Sequence, residues 1–131
     1  MKKEKRTKQK IELEYTLNTS IGILFERLST PSGLTEWFAD DVNFSGNRIV
    51  FIWKGQEEPA EIINIRENKS IRFKWLNDKE QKAYLEFRIG QDELTGDIAL
   101  YITDFVEDDE ITEAKSLWDS QISKLKHVIG N

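Results

Sequence analysis

The chain has 131 residues, 38% of them hydrophobic, with one histidine, no cysteine and a formal net charge of −5. That length suits one domain with a core of its own, without disulfides or metals. The composition excludes thiolate catalysis and cysteine-type zinc sites, leaves almost no material for Ser-His triads or His-based metal sites, and holds no apolar run near the ~18 residues of a membrane span.

Charge is unevenly placed. The first ten residues carry a net +5, from Lys2, Lys3, Lys5, Arg6, Lys8 and Lys10 against Glu4, so the remaining 121 carry −10. Residues 1–9 read as a basic, flexible leader too polar for a signal peptide, and residues 10–131 as a single domain. An acidic body argues against a nucleic-acid face, and the cytoplasm is the expected location.

Ile11, Leu13, Tyr15 and Leu17 alternate with Glu12, Glu14 and Thr16, which predicts a half-buried first strand. Asn18, Thr19 or Ser20 can cap a short helix carrying Ile21, Leu24, Phe25 and Leu28. Pro31 opens a second short helix, at the position where a missing N–H is harmless, and this helix carries Leu34, Trp37 and Phe38.

From Asp41 the period changes to two. About six strands follow, built on Val42 and Phe44; Ile49, Phe51 and Trp53; Ile62, Ile63 and Ile65; Ile71, Phe73 and Trp75; Leu85, Phe87 and Ile89; and Ile98, Leu100 and Ile102. The connections between them are short, so neighbouring strands are antiparallel. One face is apolar and aromatic, while Arg72, Lys74, Tyr84, Glu86 and Arg88 occupy the other.

The last element is predicted as one long amphipathic helix from Asp108 to Gly130. Ala114, Leu117, Trp118, Ile122, Leu125, Val128 and Ile129 form its stripe, with acidic residues on the first turns and Lys124, Lys126 and His127 on the last. A one-sided sheet followed by a one-sided helix makes an α+β sandwich.

This order resembles the helix-grip fold of the START-like superfamily, a curved antiparallel sheet of six to seven strands wrapped around a C-terminal helix with two short helices after the first strand. Within it, the run from Leu24 to Asp41, ending in the Trp37-Phe38 pair, the run from Glu61 to Trp75 and the run from Leu117 to Gly130 resemble the heat-shock-protein-90 ATPase activator-like branch and small bacterial START-like proteins. The resemblance implies a cavity or groove between sheet and helix; with turns of three or four residues between strands and little sequence spare for a lid, a smaller, more filled cavity is expected.

The residues expected to line that space are Trp37, Phe51, Trp53, Phe73, Trp75, Phe87, Trp118, Gln121 and Ile122. Aromatic concavities with a few polar groups are the usual form of small-molecule sites, and large aromatics equally fill cores. Arg48, Asn64, Tyr101 and Gln121 are the polar candidates, with a buried Gln121 amide expected to pair inside the protein. Asp40 and Asp41 read as solvated charge at a helix end, and His127 as a cation favourable to the helix dipole. No catalytic residue, metal or cofactor is assigned.

The expected function is non-enzymatic binding of an apolar or amphipathic small molecule between sheet and helix. The alternative is a protein-interaction module with a filled core, homodimeric or co-chaperone-like. A cofactor-free cyclase or hydrolase has only Gln121 and Tyr101 to stand on.

Overall fold

The computed structural model describes residues 8–79 and 82–130. Most of the basic leader therefore lies outside the described residues, but Lys8 and Gln9, assigned to it from sequence, already belong to the first strand. The elements are β1 (Lys8–Leu17), α1 (Ile21–Ser29), α2 (Pro31–Thr35), β2 (Asp41–Ser45), β3 (Arg48–Trp53), β4 (Gln56–Arg66), β5 (Ser70–Trp75), β6 (Leu85–Gln91), β7 (Ile98–Glu107) and α3 (Ile111–Val128). The seven strands form one antiparallel sheet in the order β1-β7-β6-β5-β4-β3-β2. Strands β2 to β7 are a meander in which β5–β6 and β6–β7 are joined by residues 76–84 and 92–97, longer than the short turns expected from sequence, whereas β2 to β5 are joined by tight turns. One of them, Lys54-Gly55, has both residues at positive φ, the conformation a two-residue hairpin requires.

Because β1 and β2 lie at opposite edges, the chain must cross between them, and α1 and α2 make that crossing. Ser20 caps α1 by accepting from the Ile23 amide, and Thr30 caps α2 by accepting from Gly33, with Pro31 opening the helix as expected. The two helices touch at Gly33, where a Cβ would lie 2.7 Å from the Arg27 Cα and nearer still to the Glu26 carbonyl. Only glycine fits there. Helix α2 stops at Thr35, earlier than the sequence pattern suggests, so Trp37 and Phe38 sit in the turn that follows it. The Phe38 amide still donates to Leu34 O at 2.8 Å, whereas Asp40 N has joined the sheet by donating to Ile52 O at 2.9 Å.

Strand β4 is longer than its isoleucines indicate, because the polar run before Ile62 extends it back to Gln56. Pro59 is tolerated since it lies just beyond the β4–β5 ladder, which begins at Ala60 and Trp75. A register shift between Ile62 and Asn64 turns the strand, leaving Ile63 and Ile65 about half exposed.

The core lies between the concave face of the sheet and the helices. Phe51, Phe73, Phe87, Leu100 and Ile102 come from the sheet, Leu24 and Leu28 from α1, and Trp118, Ile122 and Leu125 from α3. At 18 residues α3 spans about 27 Å, enough to cross the sheet. It begins after a single 3-10 turn at Asp108–Glu110, so these acids precede the helix rather than forming its first turn. Leu117, expected in the buried stripe, is 61% exposed. No helix among the described residues is long and apolar enough to cross a membrane.

Candidate functional site

The centre of the concave face is filled with rings. Phe51, Phe73 and Phe87 are fully buried, and edge-to-face contacts join Phe73 to each of the other two at about 6 Å between centroids. The residue that closes this cluster is Phe38. Its ring meets Phe51 at 5.1 Å, Trp53 at 5.2 Å and Phe87 at 5.8 Å edge-on, and lies nearly parallel to Trp118 at 5.8 Å. Two side chains hold its backbone in place, since the Phe38 carbonyl accepts from Trp53 Nε1 at 2.7 Å and from Gln121 Nε2 at 3.4 Å. Phe38 is therefore a wedge set between sheet and helix from the turn after α2.

Outside the wedge the space stays open. A groove of about 400 Å³ runs between the last residues of β7 and the first half of α3, lined by Phe38, Trp53, Asp104, Val106, Ala114, Leu117, Trp118 and Gln121. Three of the nine residues expected from sequence, Trp53, Trp118 and Gln121, meet there. The other six stand elsewhere. Phe51, Phe73, Phe87 and Ile122 are sealed in the core. Trp37 is buried with its indole donating to Arg27 O at 2.9 Å, which ties the turn to α1. Trp75 is half-buried beside Phe51 and Trp53, next to the groove but not in its wall.

Of the polar candidates, Gln121 is paired inside the protein as expected, through Phe38 O rather than Asn64. Asn64 and Arg48 are exposed. Tyr101 faces the other side of the sheet, where the Arg88 guanidinium lies 4.3 Å from its ring centre. Asp40 accepts from the Lys54 amide at 2.7 Å and His127 is exposed on the last turn of α3, so neither reaches the groove.

The polar group that sequence reasoning missed is Asp104. Strand parity carries the apolar face through Ile98, Leu100 and Ile102, and the next two positions on that face are Asp104 and Val106. Asp104 Oδ2 accepts from Trp118 Nε1 at 3.0 Å and Oδ1 from the Phe105 amide at 2.9 Å. Burial pushes its carboxyl above the usual carboxylate range, partly offset by these two hydrogen bonds and by the charge of Lys8. Further along the helix, Tyr15 donates to Asp119 Oδ1 at 2.7 Å. Burial first, and the neighbouring Asp119 carboxylate second, raise the phenol above its ordinary value. Together these two bonds tie α3 to β1 and β7.

Comparison with known proteins follows the same outline. The START-like superfamily domain matches residues 5–131. A solution structure of BfR322 from Bacteroides fragilis is 47% identical, with 93% of this chain and 91% of that one aligned at a TM-score of 0.66. The Aha1 dimer from Colwellia psychrerythraea aligns over 92% of this chain and 96% of its own, at 18% identity and a TM-score of 0.78. Protein MLL2253 from Mesorhizobium loti aligns over 93% and 97%, at 18% identity and 0.75. Among curated proteins none matches. With residues 5–131 of the chain matched and the seven-stranded sheet wrapped on a C-terminal helix, the chain belongs to the START-like superfamily.

Proposed function

We infer that this domain binds a small amphipathic molecule in the groove between β7 and α3, without catalysing its conversion. The observation that carries the reading is the groove itself. Its ~400 Å³ falls within the usual range for small-molecule sites, its walls are mostly apolar, and two polar side chains converge on it. The exposed Leu117 supports the reading, because a large apolar side chain at the rim of an aromatic groove gains burial when a ligand is present. Native mass spectrometry of the protein purified from cells, beside a Trp118→Ala variant, tests it. A bound mass present in the wild type and lost in the variant is the expected result; an equal mass in both places the ligand elsewhere.

A second reading, compatible with the first, is a homodimer through β1. This strand is a ten-residue sheet edge that pairs only with β7 among the described residues. One of its faces reads Lys8, Lys10, Glu12, Glu14. Two copies paired antiparallel about Ile11 would set Lys8 opposite Glu14 and Lys10 opposite Glu12, twice each, which is the self-complementarity a two-fold interface needs. The Aha1 relative, whose structure is of a dimer, supports this reading. Lys10→Glu should then shift the native mass to monomer, and adding Glu12→Lys should restore the dimer. A wild-type monomer at all concentrations rules it out.

A further inference from the structure

The groove is lined by three aromatic rings, Phe38, Trp53 and Trp118, and, among the described residues, by one carboxylate, Asp104, which the Trp118 indole touches. From that juxtaposition we propose that its ligand is an amphipathic organic cation, with an ammonium head held between Asp104 and the rings and an apolar tail along Val106, Ala114 and Leu117. The proposal rests on the groove being a binding site and adds the charge of what it binds.

The argument begins with the carboxylate. An ionised Asp offers about four acceptor positions, and the Trp118 indole and the Phe105 amide use two. Both donors are neutral, so they orient the group without neutralising it. The cation acting on Asp104 is Lys8, and Lys8 is itself held by Asp78 at 2.6 Å. No ion pair to Asp104 forms among the described residues. Among the described residues, neither Lys8 nor any other basic residue lines the groove. A cation entering the groove supplies the missing charge.

The rings point to the same chemistry. Aromatic rings attract cations through their quadrupoles, so a groove lined by rings and a carboxylate offers a quaternary or protonated amine two kinds of negative potential. A fatty carboxylate would bring like charge against Asp104 in a partly desolvated site. A neutral alcohol could donate one hydrogen bond and would gain nothing from the charge.

The test uses three probes with the same tail, dodecyltrimethylammonium, dodecanol and dodecanoate, each below its micelle concentration and titrated against the full chain with indole fluorescence as readout. The ammonium should bind about tenfold more tightly than the alcohol, and the carboxylate more weakly than either. In Asp104→Asn the tenfold preference for the ammonium over the alcohol should disappear. Equal binding of all three by the wild type overturns the proposal and leaves the groove as an uncharged apolar site, and so does a preference that survives in the variant. Binding of none overturns both the proposal and the reading it rests on. The order of the three probes on the wild type is informative whether or not the variant folds.

Discussion

Replacing Phe38 with alanine removes the wedge on which the closed core depends, and its consequences can be worked through in two directions. The side chain is only 5% exposed and meets Trp37, Phe51, Trp53, Phe87 and Trp118 within 5.8 Å of its ring centre. Burial of a phenylalanine is worth roughly 1.5–3 kcal/mol, and each good ring pair adds about 0.5–1.5 kcal/mol, not all independently. Phe→Ala changes in closed cores cost about 3–5 kcal/mol. Here the space left behind opens onto the groove and is not sealed, so the lower end, about 3 kcal/mol, is expected. For a domain of this size that is a fall in Tm of roughly 10 °C. The same change deepens the groove, so affinity for an apolar probe should rise while stability falls. Urea unfolding followed by tryptophan fluorescence gives the first quantity, and titration with N-phenyl-1-naphthylamine gives the second. A stability loss under about 1 kcal/mol would refute the wedge, since ring burial alone exceeds it. Lower probe affinity in a folded variant would refute the link between wedge and groove.

Other perturbations test other parts of the account. Asp104 has a folded-state pKa raised chiefly by burial, so the folded protein binds its proton more tightly than the unfolded chain does. Its contribution is fully present below the ordinary carboxylate range and is lost as pH rises through the raised value. Asp104→Asn should therefore gain stability relative to wild type as pH climbs through that window, which parallel urea melts at a series of pH values would reveal; a constant difference contradicts it. Tyr15→Phe removes the bond to Asp119 and should lower stability by about 1 kcal/mol, measured by thermal unfolding. Gly33→Ala drives a methyl into the backbone of α1 and should destabilise by about 3 kcal/mol or prevent folding, whereas Gly22→Ala, with open space around it, should leave Tm unchanged or slightly raised.

Much of this architecture was legible because it depends on periodicity. Alternation placed the strand faces, the Thr30-Pro31 step marked where α2 begins, and the stripe through Trp118, Ile122 and Leu125 announced the long helix. What escaped was set by distant contacts. The end of α2 is decided by the capture of the Phe38 carbonyl by Trp53 and Gln121, 15 and 83 residues away in the chain, which no local pattern encodes. Trp37 and Phe38 are adjacent, yet one is tied to α1 and the other lines the groove, a difference that appears only once the turn is built. For the site, aromatic content pointed to the right layer of the fold but could not divide its filled centre from its open end. Asp104 was within reach of sequence reasoning, since parity alone puts it on the apolar face of β7. Its charge disguises it, because a carboxylate at the end of a strand reads as solvated rather than as part of an apolar face.

The four tryptophans supply the most direct test of the groove as a binding site. Trp53 and Trp118 line it, Trp37 is sealed against α1 and Trp75 stands outside its wall. Indole N–H resonances in a 15N-correlated NMR spectrum, followed during titration with N-phenyl-1-naphthylamine, should show Trp118 and Trp53 moving saturably while Trp37 stays fixed. Unchanged spectra at saturating probe, or shifts spread equally over all four indoles, would contradict a site between β7 and α3.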